Sequence, residues 1–586
     1  MKRSLDETRG SRVVGASPSR ALTRNLPSIS FEALTAAVAA YFVLATNSAF
    51  WSGMRAAGTL SGPDAWVVVL SPALAIFALH ALLLVVLIPR AVAKPALTLL
   101  LLAAAGVSYF SKKYSVYIDP SMIRNVLRTD ATEAGELLTL DLGVSLLLFG
   151  ALPSLLVWLV RIHVRPLRVA LMRRMLFAFA MIVLTAASLF VAFDDLSPLM
   201  RNHPSLRYMI APGNVLVATT KVLAERAREP EGPRQVVGAD AKLQGHTAST
   251  KPHFLVIVVG ETARAQNWGL NGYGRQTTPQ LARLDVVNYK DVSACGSNTE
   301  VSVPCMFSST GRRRYDQQRI SNSDSLLHVL ERAAVRTLWR DNQTGCKGVC
   351  EGLPFQSYRK PPKDPMCNGE ACRDAVMLQG LHDAIDDNPG DVVVVLHQIG
   401  NHGPSYYKRY GDEFRRFLPD CREADLKRCS RGQIVNAYDN AILATDDFLA
   451  KAIRMLAQDA SHDTALIYLS DHGESLGENN IYLHGFPYAI APDTQIKVPM
   501  VAWLSPGMIA STGIDMRCVR ARADQPASHD NLFHSVLGLM QVTTAVYEPA
   551  LDLFGSCATP RPQVSVGLPA GQGNDLNAPE PDGEPL

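Results

Sequence analysis

The sequence predicts an α/β protein in two parts: an N-terminal domain of five transmembrane helices, then a soluble α/β sandwich with a mostly parallel sheet. Three observations predict it. Long apolar runs crowd the first two hundred residues, the later half alternates apolar strands with helical patterns, and two of those strands end in clustered carboxylate and imidazole groups. At 586 residues the chain is also too long for one domain.

Apolar stretches near 31–51, 66–89, 95–111, 142–160 and 175–193 each approach the roughly 20 residues that cross a bilayer. The third is the shortest. A tail of about thirty polar and basic residues precedes the first, so the start does not read as a cleavable signal peptide. Lys2, Arg3, Arg9, Arg12, Arg20 and Arg24 mark that tail, Arg90 and Lys94 the turn after span two, and Arg161, Arg165, Arg168, Arg173 and Arg174 the turn after span four. Positive segments stay cytoplasmic, so an odd number of spans carries the soluble domain to the outside. All 10 cysteines lie at or after Cys295, as disulfides in an oxidising compartment require. A structural zinc site from Cys346, Cys350, Cys367 and Cys372 is the alternative.

The boundaries follow. Residues 1–30 form a basic tail, 31–195 the membrane domain, 196–252 an amphipathic segment and linker, 253–558 the soluble domain, and 559–586 a disordered tail. Between spans three and four, residues 114–138 mix apolar and charged positions at helical spacing, as an interfacial helix does. A solvated connector is the alternative there. The net charge of +3 is too small to argue for nucleic acid.

In the soluble domain, strands are expected at 254–260, 336–340, 391–397, 464–470 and 498–504, separated by helices such as 323–333 and 433–456. In open α/β sheets, ligands bind at the carboxyl ends of the strands. FLVIVVGE ends in Glu261, and TALIYLSDHGE delivers Asp471 and His472. His402 follows a third strand, and His484 lies beyond the fourth. Carboxylate and imidazole ligands brought together in this way suit Zn²⁺. Thr299, in the loop CGSNTEVSVPC, is the candidate nucleophile, since a threonine hydroxyl needs activation by a base or metal. An N-cap role for Thr299, or Ser297 or Ser302 as nucleophile, would compete with it. A Cys295–Cys305 bridge would fix that loop.

Five segments then carry a resemblance: GETARAQNWGLNGYGRQTTPQL, CGSNTEVSVPCMFS, WRDNQTGCKGVC, HQIGNHGPSYYKRY and SDHGESLGENNIYLHGFPYAIAPDTQ. In order and content the chain resembles the phosphoethanolamine transferases that modify lipid A, a group including the mobile colistin-resistance enzymes. It lacks the sulfatase CxPxR motif, because Met306 and Phe307 follow Cys305. The resemblance implies an alkaline-phosphatase/sulfatase-like soluble domain in the periplasm, anchored in the bacterial inner membrane. It implies a tightly held zinc, with a second as an alternative, on Glu261, Thr299, Asp471 and His472. Thr299 would carry phosphoethanolamine from phosphatidylethanolamine to lipid A. His402, His484, Glu474, Lys347 and Asn342 would contact the transferred phosphate or a second metal, and Asn125 and Glu133 the lipid substrate. It also implies the pairs Cys295–Cys305, Cys346–Cys350, Cys367–Cys372 and Cys421–Cys429, leaving Cys518 and Cys557 to each other. Core sugars of lipopolysaccharide or a periplasmic glucan are the alternative acceptors. A monomer is expected.

Overall fold

The computed structural model describes residues 26–56, 65–129, 131–227, 234–244, 251–359, 364–367, 372–383 and 390–559. Most of the basic N-terminal tail, part of the 196–252 linker and the C-terminal tail expected to be disordered lie outside the described residues.

The first apolar run is not one straight helix. Helix α1 (Phe31–Tyr41) continues as a π-helical turn to Thr46, and α2 (Ser48–Ala56) leaves it at 51°. The break falls at buried Asn47, whose amide donates to the carbonyls of Phe42 and Ala211 while its oxygen accepts from the Ala211 N–H. That side chain competes with the helical backbone, a recognised cause of kinks. Four further helices are long and apolar enough to cross a membrane: α3 (Ala65–Leu87), α4 (Ala93–Tyr114), α7 (Leu140–Trp158) and α8 (Leu167–Val191). The third expected span is therefore longer than its apolar run. Lys113 extends α4 because it finds Asp141 at 3.1 Å and Asp425 of the soluble domain at 2.7 Å. Helix α8 begins before its apolar run, so Arg168, Arg173 and Arg174 lie within it rather than in a turn. Its Leu176, Phe179 and Ile182 are all more than half exposed, a surface suited to lipid rather than water.

The described basic turns and the residues just before α1 meet at one end of this bundle. Residues Ser28–Ile29 pair in parallel with Arg161–Ile162. Arg90 donates to the Ile162 carbonyl, Lys94 to that of Trp158, and Arg165 meets Glu32 at 3.2 Å. The Lys113–Asp425 contact lies at the other end of α4. On that side α5 (Pro120–Arg128), capped by Asp119, and α6 (Ala131–Leu137) occupy the expected interfacial segment. Helix α9 (Gly213–Ala227) packs on α5.

The soluble domain is a sandwich around eight strands: β1 (His253–Gly260), β2 (Val287–Ser293), β3 (Arg336–Asp341), β4 (Phe355–Ser357), β5 (Val392–His397), β6 (Asp463–Ser470), β7 (Lys497–Leu504) and β8 (Ala527–Ser528). Their order is β8-β2-β7-β6-β1-β5-β3-β4. The run from β6 to β4 is parallel, and β7 opposes both its neighbours. Its helices include α10 (Thr299–Met306), α11 (Leu326–Arg332), α12 (Arg431–Ala457) and α13 (Asp530–Leu539). Every residue of β1 is buried because each sheet face is covered. Leu255, Ile257 and Val259 pack with Leu326 and Phe533, and Phe254, Val256 and Val258 with Ile434, Tyr438 and Ile442. Burying each such side chain stabilises the fold by about 1.5–3 kcal/mol.

All ten cysteines are paired: Cys295–Cys305, Cys346–Cys350, Cys367–Cys372, Cys421–Cys429 and Cys518–Cys557. The alternative zinc site on four of them is thereby excluded.

Candidate active site and metal centre

Strands β1 and β6 run in register from His253↔Asp463 to Gly260↔Ser470, so Glu261 and Asp471 emerge abreast. The Asp471 N–H donates to the Gly260 carbonyl at 2.8 Å, which holds the two turns together. Gly260 has no room for a side chain, since a Cβ there would stand 2.6 Å from the Tyr468 ring. On the other side Gly400, at φ +48°, brings the loop after β5 against the Glu261 backbone.

Glu261, Asp471 and His472 are fully buried, and each offers a ligand atom within 4.8 Å of the others. His472 donates Nδ1–H to the Gly473 carbonyl at 2.9 Å. Its Nε2 therefore points to the cluster, 3.4 Å from Glu261 and 3.3 Å from Asp471. Asp471 Oδ1 accepts the N–H groups of Thr262 and His472, but its buried Oδ2 has no hydrogen-bond partner. An orphaned carboxylate oxygen beside a second carboxylate and an imidazole nitrogen fits a divalent cation.

The electrostatics agree. Burial and the neighbouring Glu261 charge push Asp471 up to about 7. Burial works against ionisation of Glu261, yet the His472 hydrogen bond and charge hold it below the carboxylate range. For His472 burial opposes the charge, but both carboxylates outweigh it and raise the imidazole to about 9. Two buried carboxylates thus call for positive charge between them.

Thr299 is the first residue of α10 rather than part of a loop. Its hydroxyl donates toward Glu261 at 3.2 and 3.3 Å and lies 3.3 Å from His472 Nε2. Asn298 is the N-cap, accepting from the Val301 N–H, so a capping role for Thr299 is ruled out. Ser297 and Ser302 are spent on the carbonyls of Phe486 and Asp471. The positive end of α10 favours negative charge at Thr299.

His484 Nδ1 meets Glu474 at 3.3 Å, and its ring lies 4.3 Å from that of His472 and 5.5 Å from that of His402. Burial, helped by His472, lowers the His484 pKa. His402 and His484 also line a cavity of about 380 Å³, walled by Phe110, Met122, Ile123 and Asn125 from the membrane half.

The chain is 36% identical over 540 residues to phosphoethanolamine transferase EptA of Escherichia coli K12, an alignment covering 91% of this chain and 98% of that one. This chain belongs to the phosphoethanolamine transferase family. Residues 76–227 match the family model for phosphoethanolamine transferase EptA/EptB, and residues 253–542 match the sulfatase model. The transferase is also 37% identical over 528 residues to phosphatidylethanolamine transferase Mcr-1 of Escherichia coli, covering 88% and 96% of the two chains. Its structure resembles the integral membrane lipooligosaccharide phosphoethanolamine transferase A of Neisseria meningitidis at a TM-score of 0.88, 35% identity and 91% and 100% coverage.

Asn342 and Lys347 of the transferase have partners of their own. Asn342 spends its amide on the Cys372 carbonyl and Asp374, so it braces the loops behind the site. Lys347 bonds Thr344 and lines a separate cavity of about 270 Å³. The backbone of Glu133 lies in α6, and its side chain is outside the described residues. The neighbour of Asn342 was missed: Gln343 donates to Glu261 Oε2 at 2.9 Å. Its only signal was its place just beyond the end of β3.

Proposed function

We propose that this transferase moves phosphoethanolamine from phosphatidylethanolamine to a phosphate of lipid A, through a covalent intermediate on Thr299. The observation that carries the reading is the Thr299 hydroxyl, which faces Glu261 and His472 from the start of a helix. Relatives add to it, because 25%-identical chains of Escherichia coli and Salmonella typhimurium are named Kdo(2)-lipid A phosphoethanolamine 7''-transferase.

In the first step the Thr299 oxygen bonds to the donor phosphorus, and the bond from phosphorus to the glycerol oxygen breaks. The hydroxyl, which faces Glu261 and His472, gives up its proton as the bond forms, and the diacylglycerol oxygen takes up a proton as it leaves. In the second, a lipid A phosphate oxygen displaces Thr299, which recovers its proton. His402 and His484, beside the cavity, are the groups for the transferred phosphate or a second zinc. Zinc on Glu261, Thr299, Asp471 and His472 would lower the hydroxyl's pKa and offset charge on the phosphoryl oxygens. Asn125 on the cavity wall suits contact with the donor lipid.

The basic end of the bundle reads as cytoplasmic, which sets the disulfide-bearing domain in the periplasm of a bacterial inner membrane. An ethanolammonium on lipid A offsets negative charge and weakens its attraction for cationic peptides such as polymyxin. Mass spectrometry of lipid A from cells with and without this protein tests the reading. A gain of one phosphoethanolamine is expected, and unmodified lipid A beside modified core sugar or glucan would overturn the acceptor.

A further inference from the structure

Helix α5 stands between two cavities of opposite character. Met122, Ile123 and Val126 face the apolar one that reaches His402 and His484. Asp119, Ser121 and Arg124 border the other, of about 270 Å³, which opens beside Gly296, Ser297 and Asn298. Those three residues lead directly into Thr299. The second cavity therefore lies beside the turn that leads into the nucleophile, across α5 from the lipid-like chamber.

Its charges do not cancel. The walls carry Arg124, Lys221 and Arg312 against Asp119 and Glu225. Both carboxylates are already engaged. Glu225 meets Arg124 at 2.8 Å, and Asp119 caps α5 by accepting from the Ser121 hydroxyl at 2.7 Å and the Met122 N–H at 2.8 Å. Lys221, exposed on α9, and Arg312 pair with no carboxylate among the described residues.

Arg312 is also preorganised. Its guanidinium lies 3.5 Å from the Tyr488 ring centroid and 4.9 Å from that of Tyr315, and one N–H reaches the Cys295 carbonyl at 3.3 Å. A planar fork held between two rings loses little freedom when it binds an oxyanion. With Arg124 and Glu225 paired, Lys221 and Arg312 outnumber Asp119, and the net positive charge suits an anion such as a phosphate. The volume suits a sugar phosphate better than acyl chains, and the zwitterionic donor headgroup does not need two cations.

Resting on the transfer reading above, we propose that this cavity binds a phosphomonoester of the acceptor saccharide, separate from the phosphate that receives the phosphoethanolamine. The enzyme then selects bisphosphorylated glycolipids: one phosphate anchors at Lys221 and Arg312 while the other meets Thr299.

The test uses the full-length protein in vesicles of phosphatidylethanolamine and phosphatidylcholine, with lipid A bearing two phosphates or one. Wild-type kcat/KM should favour the bisphosphorylated acceptor by about tenfold, as for one charged hydrogen-bonded contact. Lys221→Gln should reduce that preference, and Lys221→Gln with Arg312→Gln should abolish it. Neither variant should alter the rate on monophosphorylated acceptor or the release of diacylglycerol without acceptor, which also reports that the protein is folded. Persistence of the preference in the double variant overturns the proposal, as does a parallel loss of diacylglycerol release. Adding phosphatidylglycerol should leave the preference intact. Its disappearance would mean that the cations serve the anionic surface, against the proposal. Equal wild-type rates on both acceptors overturn the cavity's role alone, whereas modification of neither would sink the transfer reading beneath it.

Discussion

The two walls around Thr299 are built in different ways. The wall behind it comes from the ends of β1 and β6, where Glu261, Asp471 and His472 are completely buried and each is fixed by backbone hydrogen bonds or register. The wall in front comes from α5 and α9 of the membrane half, and it is held across the domain boundary by half-exposed polar contacts. Arg128 meets buried Glu300 at 2.6 Å, and Asn298 reaches Ser121 at 3.3 Å. A rigid sheet sets the chemistry, whereas an adjustable helix sets what reaches it. Substitutions behind should therefore abolish the reaction, and substitutions in front should modulate it.

The largest effect should come from the rear wall. Asp471→Asn leaves the fold but removes a ligand charge, so zinc measured by elemental analysis should drop below one per chain. Transfer should then fall on the order of 10³-fold or more. Retention of zinc and rate would break the comparison. Next is the sheet that holds this wall: Ile257→Ala should cost about 2–5 kcal/mol in denaturant unfolding of the soluble domain.

A pH effect of similar order comes from His529, buried behind the nucleophile helix. Its Nδ1 accepts from the Cys295 N–H at 3.1 Å and its Nε2–H donates to the Ser470 carbonyl at 2.9 Å, so both ring nitrogens are committed to the neutral form. Burial lowers its pKa to about 4. The unfolded chain binds this proton more readily, so stability is full above about 6.5 and is lost as pH falls toward 4. The loss is on the order of 3 kcal/mol. Thermal melts across that window should show it, and a flat profile would contradict it. The smallest effect belongs to the front wall. Arg128→Gln frees α5 from α10, leaves buried Glu300 without its ion pair and should slow transfer severalfold. A loss as large as that of Asp471→Asn would erase the distinction between the walls.

The sequence made the rear wall legible because a buried parallel strand is a continuous apolar run and its end is where polarity returns. Glu261, Asp471 and His472 stand at those ends, and the five expected strands all form within a residue of their expected limits. Strand β2 is hidden because Lys290 and Asp291 stand side by side and break the alternation of VNYKDVS where its register shifts. The kink at Asn47 and the extension of α4 through Lys113 depend on partners 164 and 312 residues away, which local patterns do not encode. Resemblance points to Asn342 and Lys347 for the phosphate, whereas the contact of Gln343 to Glu261 has no signal in the motif. Side-chain direction past a strand end is set by packing, not by position in a motif.

The central claim is that Thr299 carries the group in transit. Full-length protein incubated with phosphatidylethanolamine and no acceptor should yield a peptide with phosphoethanolamine on Thr299 and an equal amount of free diacylglycerol. Adding lipid A should clear the adduct. Steady transfer to lipid A by Thr299→Ala, or diacylglycerol release without modification of Thr299, would contradict the account.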